Sequence, residues 1–278
     1  MHRRWPRHRH GHRGHVGGLV DALLVVLLAV LLTAFMFAPL GLGGGLLFVP
    51  ILHYLAGWPL DTATLVTSLL LTLSVSLGSG AVHHREGLID LPSVRRLAPV
   101  AMLGAAGGAV VVHLLGDALD PVFKALALGL LVWACVKVAR RLLNGVNEKD
   151  GGEVRPVALR AGAGFGGGAS AVLAIGAGAI YIPILNQFGG LASRRAIGTS
   201  LGLMMLVVPV AIVVHASLHD GSWPEVWVLG LLPASALVGA MLGARAGLRV
   251  PDTVILRVFF GLLCIISARY AFDLLRRM

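Results

Sequence analysis

The chain alternates between apolar blocks of about twenty residues and short polar or charged patches, a pattern that predicts membrane-crossing α-helices, not barrel strands. The first block, 19–40, runs into a glycine cluster and is followed by a short apolar piece, 46–55. Further spans are read at 63–82, 97–115 and 121–143. Residues 144–156 form the one clearly hydrophilic linker. After it come a long segment riddled with glycine, 157–185, and then spans at 196–214, 226–242 and 253–275.

Two of these segments are broken in the same way. Gly41-Leu42-Gly43-Gly44-Gly45 leads to Pro50, and Ile175-Gly176-Ala177-Gly178 leads to Pro183, with the two prolines 133 residues apart. Gly43, Gly44 and Gly45 then fall on Gly176, Ala177 and Gly178. Other matches follow in the same order: Thr67-Ser68 with Thr199-Ser200, His83 with His215, Gly104-Ala105 and Gly108 with Gly239-Ala240 and Gly243, and Lys124 with Arg257. Apolar segments broken at corresponding places in two halves point to the binding site of a secondary transporter. The chain therefore divides into a His/Arg-rich disordered tail (1–16), a first transmembrane repeat (17–143), a hydrophilic linker (144–156) and a second repeat (157–278). The predicted fold is an all-α polytopic membrane protein of about eight transmembrane helices in two four-helix repeats, each opening with a Gly-broken helix. Basic residues are expected on the cytoplasmic side. That rule is best satisfied when the second repeat is inverted relative to the first, with Arg194 and Arg195 on the same side as the N-terminal tail.

Composition agrees with the pattern: 57% of residues are hydrophobic and only 13% charged, and the mean hydropathy is +0.86. Soluble domains carry about 25% charged residues. The formal charge of +10 resides in loops and termini, so it reads as topology and not as nucleic-acid binding. The tail holds five arginines and five histidines within residues 1–15; a metal role for it is the minor reading beside a solvated, lipid-touching tail. Cys135 and Cys264 lie in apolar sequence without metal-ligand spacing and are expected to pack. A dinucleotide reading of the Gly-x-Gly-Gly-Gly string fails, because no strand precedes it.

A small oxyanion at membrane depth must find replacements for water, and full charges there are costly. Broken helices offer free N–H groups and positive dipole ends. Gly43, Gly44, Gly45, Gly176, Ala177 and Gly178 are therefore the candidate backbone donors. Thr67, Ser68, Thr199 and Ser200 are candidate hydroxyl donors. His53 and Asn186 stand three residues after each proline and are candidate ligand contacts, His53 also a proton carrier. His83 and His215 are expected to be solvated, Lys124 and Arg257 to snorkel, and Asp61 to cap a helix. No catalytic constellation is present, so the chain is not read as an enzyme, and no cofactor is implied.

The Gly-x-Gly-Gly-Gly-x-x-x-x-Pro motif, its partner Gly176-x-Gly-x-x-x-x-Pro183, the following Gly198-Thr199-Ser200 and the pairs Gly104-Ala105 and Gly239-Ala240 resemble the TauE/SafE family of membrane permeases, the sulfite exporter family. The resemblance spans about residues 19–275. The chain departs from it at Ala177 and Ala179, where the family tends towards glycine. The resemblance implies a multi-pass permease of the bacterial inner (plasma) membrane. Its substrate would be a small anion such as sulfite, a sulfonate or a related organosulfur compound. The partners are that anion and the lipid bilayer, with no nucleic acid; a homo-oligomer is left open. The rival readings are a cation or metal permease using the His-rich tail, and a non-transporting membrane accessory subunit.

Overall fold

Glycine breaks the helices where the sequence expects them to break, whereas Pro183 is carried inside a helix and Pro50 leads into a π-helical turn. In the computed structural model, which describes residues 15–144, 153–247 and 252–276, these segments are helical throughout, apart from short connections. The first half consists of α1 (His15–Phe37), a 3-10 turn (Ala38–Leu40), α2 (Gly45–Pro50) running on as a π-helical turn (Ile51–Leu55), α3 (Thr62–Arg85), α4 (Leu91–Leu115) and α5 (Leu119–Asn144). The second half consists of α6 (Pro156–Leu173), α7 (Gly178–Gln187), α8 (Ser193–Ser217), α9 (Val226–Gly247) and α10 (Asp252–Leu275). Asp61 caps α3 by accepting the Thr64 N–H at 2.9 Å, as expected. Asp90 caps α4 in the same way through Ser93, at 3.1 Å.

At each glycine break the chain turns back. Val26, Val30 and Ala34 of α1 share one buried cluster with Phe48 and Leu52, so α2 and its π turn return alongside α1. Three residues after each proline, a side chain closes the exit by donating to a carbonyl five residues further on: His53 Nδ1 to Trp58 at 2.8 Å, and Asn186 Nδ2 to Leu191 at 2.9 Å.

The halves are interlocked. Gly239 and Gly243 of α9 lie against the backbone of Leu31 and Phe35 of α1. Gly104 and Gly108 of α4 lie against Gly164 and Gly168 of α6. The two contacts are the same contact made twice, since Leu31 and Gly164, like Phe35 and Gly168, are 133 residues apart. Each half's hairpin thus packs on a helix of the other half, where small residues let backbones approach. In both pairs the residue numbers rise together, so the paired helices run in the same direction. The last helices pair antiparallel: Asp120 in the first turn of α5 meets Asp273 near the end of α10 through Lys124.

Two expectations change. Among the described residues, six helices (α1, α3, α4, α5, α8 and α9) are long and apolar enough to cross a membrane, not eight. Glycines and Arg160 dilute the apolar content of α6. The start of α1 also lies at the end of the molecule opposite Arg194 and Arg195. It runs parallel to α9, whose start follows the end of α8, and those arginines sit at the start of α8. The reading that put the tail beside them assumed that the first segment crosses once, whereas it folds back. The tail residues 1–14, most of the linker and Arg249 lie outside the described residues.

Candidate functional site

The two breaks trace the same backbone path. Gly41, Gly43 and Gly44 have φ of 65°, 73° and 72°, and their counterparts Ala174, Gly176 and Ala177 have 51°, 71° and 58°. Two alanines therefore hold a left-handed conformation that costs an L-residue about 1–2 kcal/mol. They are retained where the fold demands the turn.

The breaks cross at the centre of the molecule. A Cβ on Gly45 would collide with the backbone of Ile175, and one on Gly178 with Gly41 and Leu42. Both return helices, α2 and α7, therefore begin at the crossing. The first two N–H groups of each, at Gly45 and Leu46 and at Gly178 and Ala179, have no preceding turn to bond to, while Leu47 and Ile180 already donate to Gly44 and Ala177; the positive ends of the two helices face one another. The serines of the repeated Thr-Ser pairs bind the crossing together, each reaching into the other half. Ser68 donates to the Ala174 carbonyl at 2.9 Å. Ser200 donates to the Gly41 carbonyl at 3.2 Å and to Ile197 at 2.7 Å.

One turn beyond these serines stand two residues that the motif reading missed. Thr72 and Met204 each approach both Gly43 and Gly176, and both are fully buried. The Oγ1 of Thr72 is buried and has no hydrogen-bond partner. Their signal was the helical spacing: Thr72 and Met204 each lie four residues after the serine, on the same helix face. A narrow apolar cavity opens beside the crossing, against Gly45 and Ile175, and is also lined by Pro50, Phe123, Leu131 and Tyr270.

The structure thus brings together Gly43, Gly44, Gly45, Gly176, Ala177, Gly178, Ser68 and Ser200. It does not bring in the rest. Thr67 donates to Ala63 one turn back in its own helix, at 2.8 Å. Thr199 accepts the N–H of Asp90 at 2.9 Å, tying α8 to the start of α4. His53 and Asn186 are occupied at the exits of the hairpins. His83 and His215 are buried, not solvated. Nδ1 of His83 faces the Ser79 carbonyl at 2.9 Å, and His215 donates to Ala171 at 3.1 Å. Lys124 does not snorkel either. Its side chain is 1% exposed and paired with Asp120 at 3.1 Å and Asp273 at 3.6 Å, because the antiparallel partner helix supplies a carboxylate that one sequence segment cannot show. Arg257 is exposed. Cys135 and Cys264 are free thiols whose sulfurs lie 4.0 Å apart between α5 and α10. Among the described residues, no three His, Cys, Asp or Glu side chains are grouped to hold a metal ion.

A multi-helix membrane protein whose two broken helices meet at depth has the architecture of a secondary transporter. The sequence matches the family described as Sulfite exporter TauE/SafE over residues 26–270, and the chain belongs to that family. It is 27% identical over 263 residues to a "Probable membrane transporter protein" of Haemophilus influenzae, covering 88% of this chain and 96% of that protein. No solved structure matches it. The chain is a multi-pass inner-membrane transporter of a small molecule, not an enzyme.

Proposed function

We propose that the protein carries a small sulfur oxyanion, sulfite or a sulfonate, bound where the two glycine breaks cross. The observation that carries this reading is the pair of convergent helix starts at the glycine breaks, with Thr72, whose methyl group lies against Gly43 and Gly176 and whose buried hydroxyl has no partner, beside them. An oxyanion needs donors and little bulk. Backbone N–H groups at glycine and a single hydroxyl supply both, without a buried compensating charge. Ser68 and Ser200 hold the breaks in register and leave the N–H groups free for the ligand.

Each repeat contributes a hairpin and three crossing helices: α1–α2 with α3, α4 and α5, and α6–α7 with α8, α9 and α10. Three crossings per repeat are an odd number, so the second repeat is inverted, and its hairpin enters from the opposite face. Counted as long helices, each repeat then has four, of which the first belongs to the hairpin and does not cross. Arg85, Arg95, Arg96, Arg155, Arg194, Arg195 and Arg245 then share the cytoplasmic face, and the start of α1 faces the periplasm. Alternating access comes from rocking one interlocked repeat against the other about the crossing.

The test is uptake into proteoliposomes, comparing sulfite, sulfate, thiosulfate and short sulfonates with and without a pH gradient. Saturable uptake of a sulfur oxyanion is expected. Failure to bind or move any of these anions would refute the assignment.

A further inference from the structure

The two halves repeat the backbone of the crossing but not the side chains laid over it. Gly43 and Gly176 belong to opposite breaks, and the same two residues lie over both. A Cβ built on Gly43 would meet the Thr72 methyl group at 3.1 Å and the Met204 sulfur at 3.2 Å. A Cβ built on Gly176 would meet that methyl group again, and the sulfur at 2.9 Å. Thr72 and Met204 are counterparts, each four residues after the serine of its own half's Thr-Ser pair. At this place α3 carries a hydroxyl and α8 a thioether. Both residues are fully buried. One turn earlier on each helix, Ser68 and Ser200 already spend their protons on the Ala174 and Gly41 carbonyls.

A thioether has no proton to donate and accepts only weakly. It is polarisable, and its three rotatable bonds let the far end of the side chain move aside for a guest. A ligand that spans Gly43 and Gly176 must displace that far end, while α8 keeps the residue beside it. Such a ligand has backbone donors on one side and a soft wall without donors on the other. Sulfate carries four equivalent oxygens. Seated here, it leaves one charged oxygen stripped of water against the thioether, with nothing to replace the lost hydrogen bonds. A sulfur anion with three oxygens avoids that cost. Its fourth position holds a lone pair in sulfite, a carbon in an alkyl sulfonate and a second sulfur in thiosulfate.

We propose that Met204 is the specificity-determining residue of the crossing: its thioether admits sulfur anions that have three oxygens and a soft or empty fourth position, and rejects sulfate. The proposal rests on the transport reading above and narrows its substrate class. The asymmetry between the halves gives it a direct test. A hydrogen-bond donor at position 204, which the first half carries at position 72, should remove the rejection, whereas another apolar side chain should keep it.

The experiment is equilibrium binding of sulfite, methanesulfonate, thiosulfate and sulfate to the purified full-length protein, with a melting curve on each preparation. Thiosulfate and sulfate are the deciding pair, since they share charge and shape and differ in one atom. The parent should bind thiosulfate at least about tenfold more tightly than sulfate, the worth of one hydrogen bond to a charged group. Met204→Gln keeps the side-chain length and adds an amide donor. It should raise sulfate affinity about tenfold and leave thiosulfate nearly unchanged. Met204→Thr installs the counterpart's hydroxyl and should act in the same direction, which covers a glutamine variant that fails to fold. Met204→Leu, apolar and close in volume, should keep the parent's discrimination. Equal parent affinities for sulfate and thiosulfate would overturn the proposal without any variant. So would an unchanged ratio in the folded donor variants, or a ratio lost equally in Met204→Leu, and in each of these cases the anion site itself would stand. Binding of none of the four anions to folded parent protein would instead overturn the transport reading and this proposal with it.

Discussion

At the scale of single residues, the crossing separates positions that look alike in sequence. Gly44 and Ala177 are counterparts with the same left-handed backbone, and only one carries a methyl group. Ala177→Gly removes that strain and should leave the melting temperature unchanged or raise it, by the equivalent of at most about 1 kcal/mol. Gly44→Leu and Ala177→Leu should block ligand approach, read as lost substrate affinity in protein that still inserts and shows a folded melting transition. Normal affinity in stably folded Gly44→Leu would remove the first break from the site. Thr72 gives a cleaner separation. Thr72→Val keeps the shape and deletes a buried hydroxyl that has no protein partner, so stability should hold or improve. If that hydroxyl faces the anion, affinity should fall about tenfold, the worth of one hydrogen bond to a charged group. Melting and binding measured on the same preparation distinguish the two effects, and unchanged affinity would take Thr72 out of the site.

At the scale of elements, the small-residue runs are sorted by what each glycine faces. Gly104 and Gly108 press on the backbone of α6, while nothing lies within 4 Å of a Cβ built at Gly107. Gly107→Ala should therefore be neutral, or stabilise α4 by about 0.5–1 kcal/mol. Gly104→Ala should cost about 1–3 kcal/mol, because the helices must separate to admit the methyl group. Thermal melting in detergent checks the contrast, and equal effects at the two positions would refute the close α4–α6 contact. The run Gly104-Ala105-Ala106-Gly107-Gly108 announced a helix contact. Which glycines make it depends on helix phase against a partner from the other repeat, and residue type does not carry that information.

At the scale of the whole molecule, the hairpins decide the topology. In the proposed topology, folding back at Gly41–Gly44 leaves three crossings per repeat, and α8 places Ser193 and Ser222 at opposite ends. Single cysteines at these serines should label from opposite faces, Ser193 from the cytoplasm and Ser222 from the periplasm. Ser193 labelling only from the periplasm would overturn the orientation, and labelling of both from one face would overturn the antiparallel path of α8 and α9.

Local chemistry was enough to determine much of this in advance. Long apolar blocks cannot stay in water, glycine clusters cannot continue a helix, and a pattern repeated 133 residues later has to build similar units. The sequence alone therefore determined the membrane class, the two broken segments, the internal repeat and the cap at Asp61, and it offered Thr67, Ser68, Thr199 and Ser200 alike as candidates. It left undetermined whatever depends on which surfaces meet. The tertiary structure decided that each serine serves the opposite half's break, that Thr67, Thr199, His53 and Asn186 are used up in helix and loop contacts, and that Thr72 joins the crossing. It also decided that Lys124 is buried, because the carboxylate that shares it comes from Asp273, 149 residues further along the chain. An apolar helix gives no sign of which neighbour it will have. Only the packing of two interlocked repeats fixes that choice, and with it the charges and hydroxyls that end up facing one another.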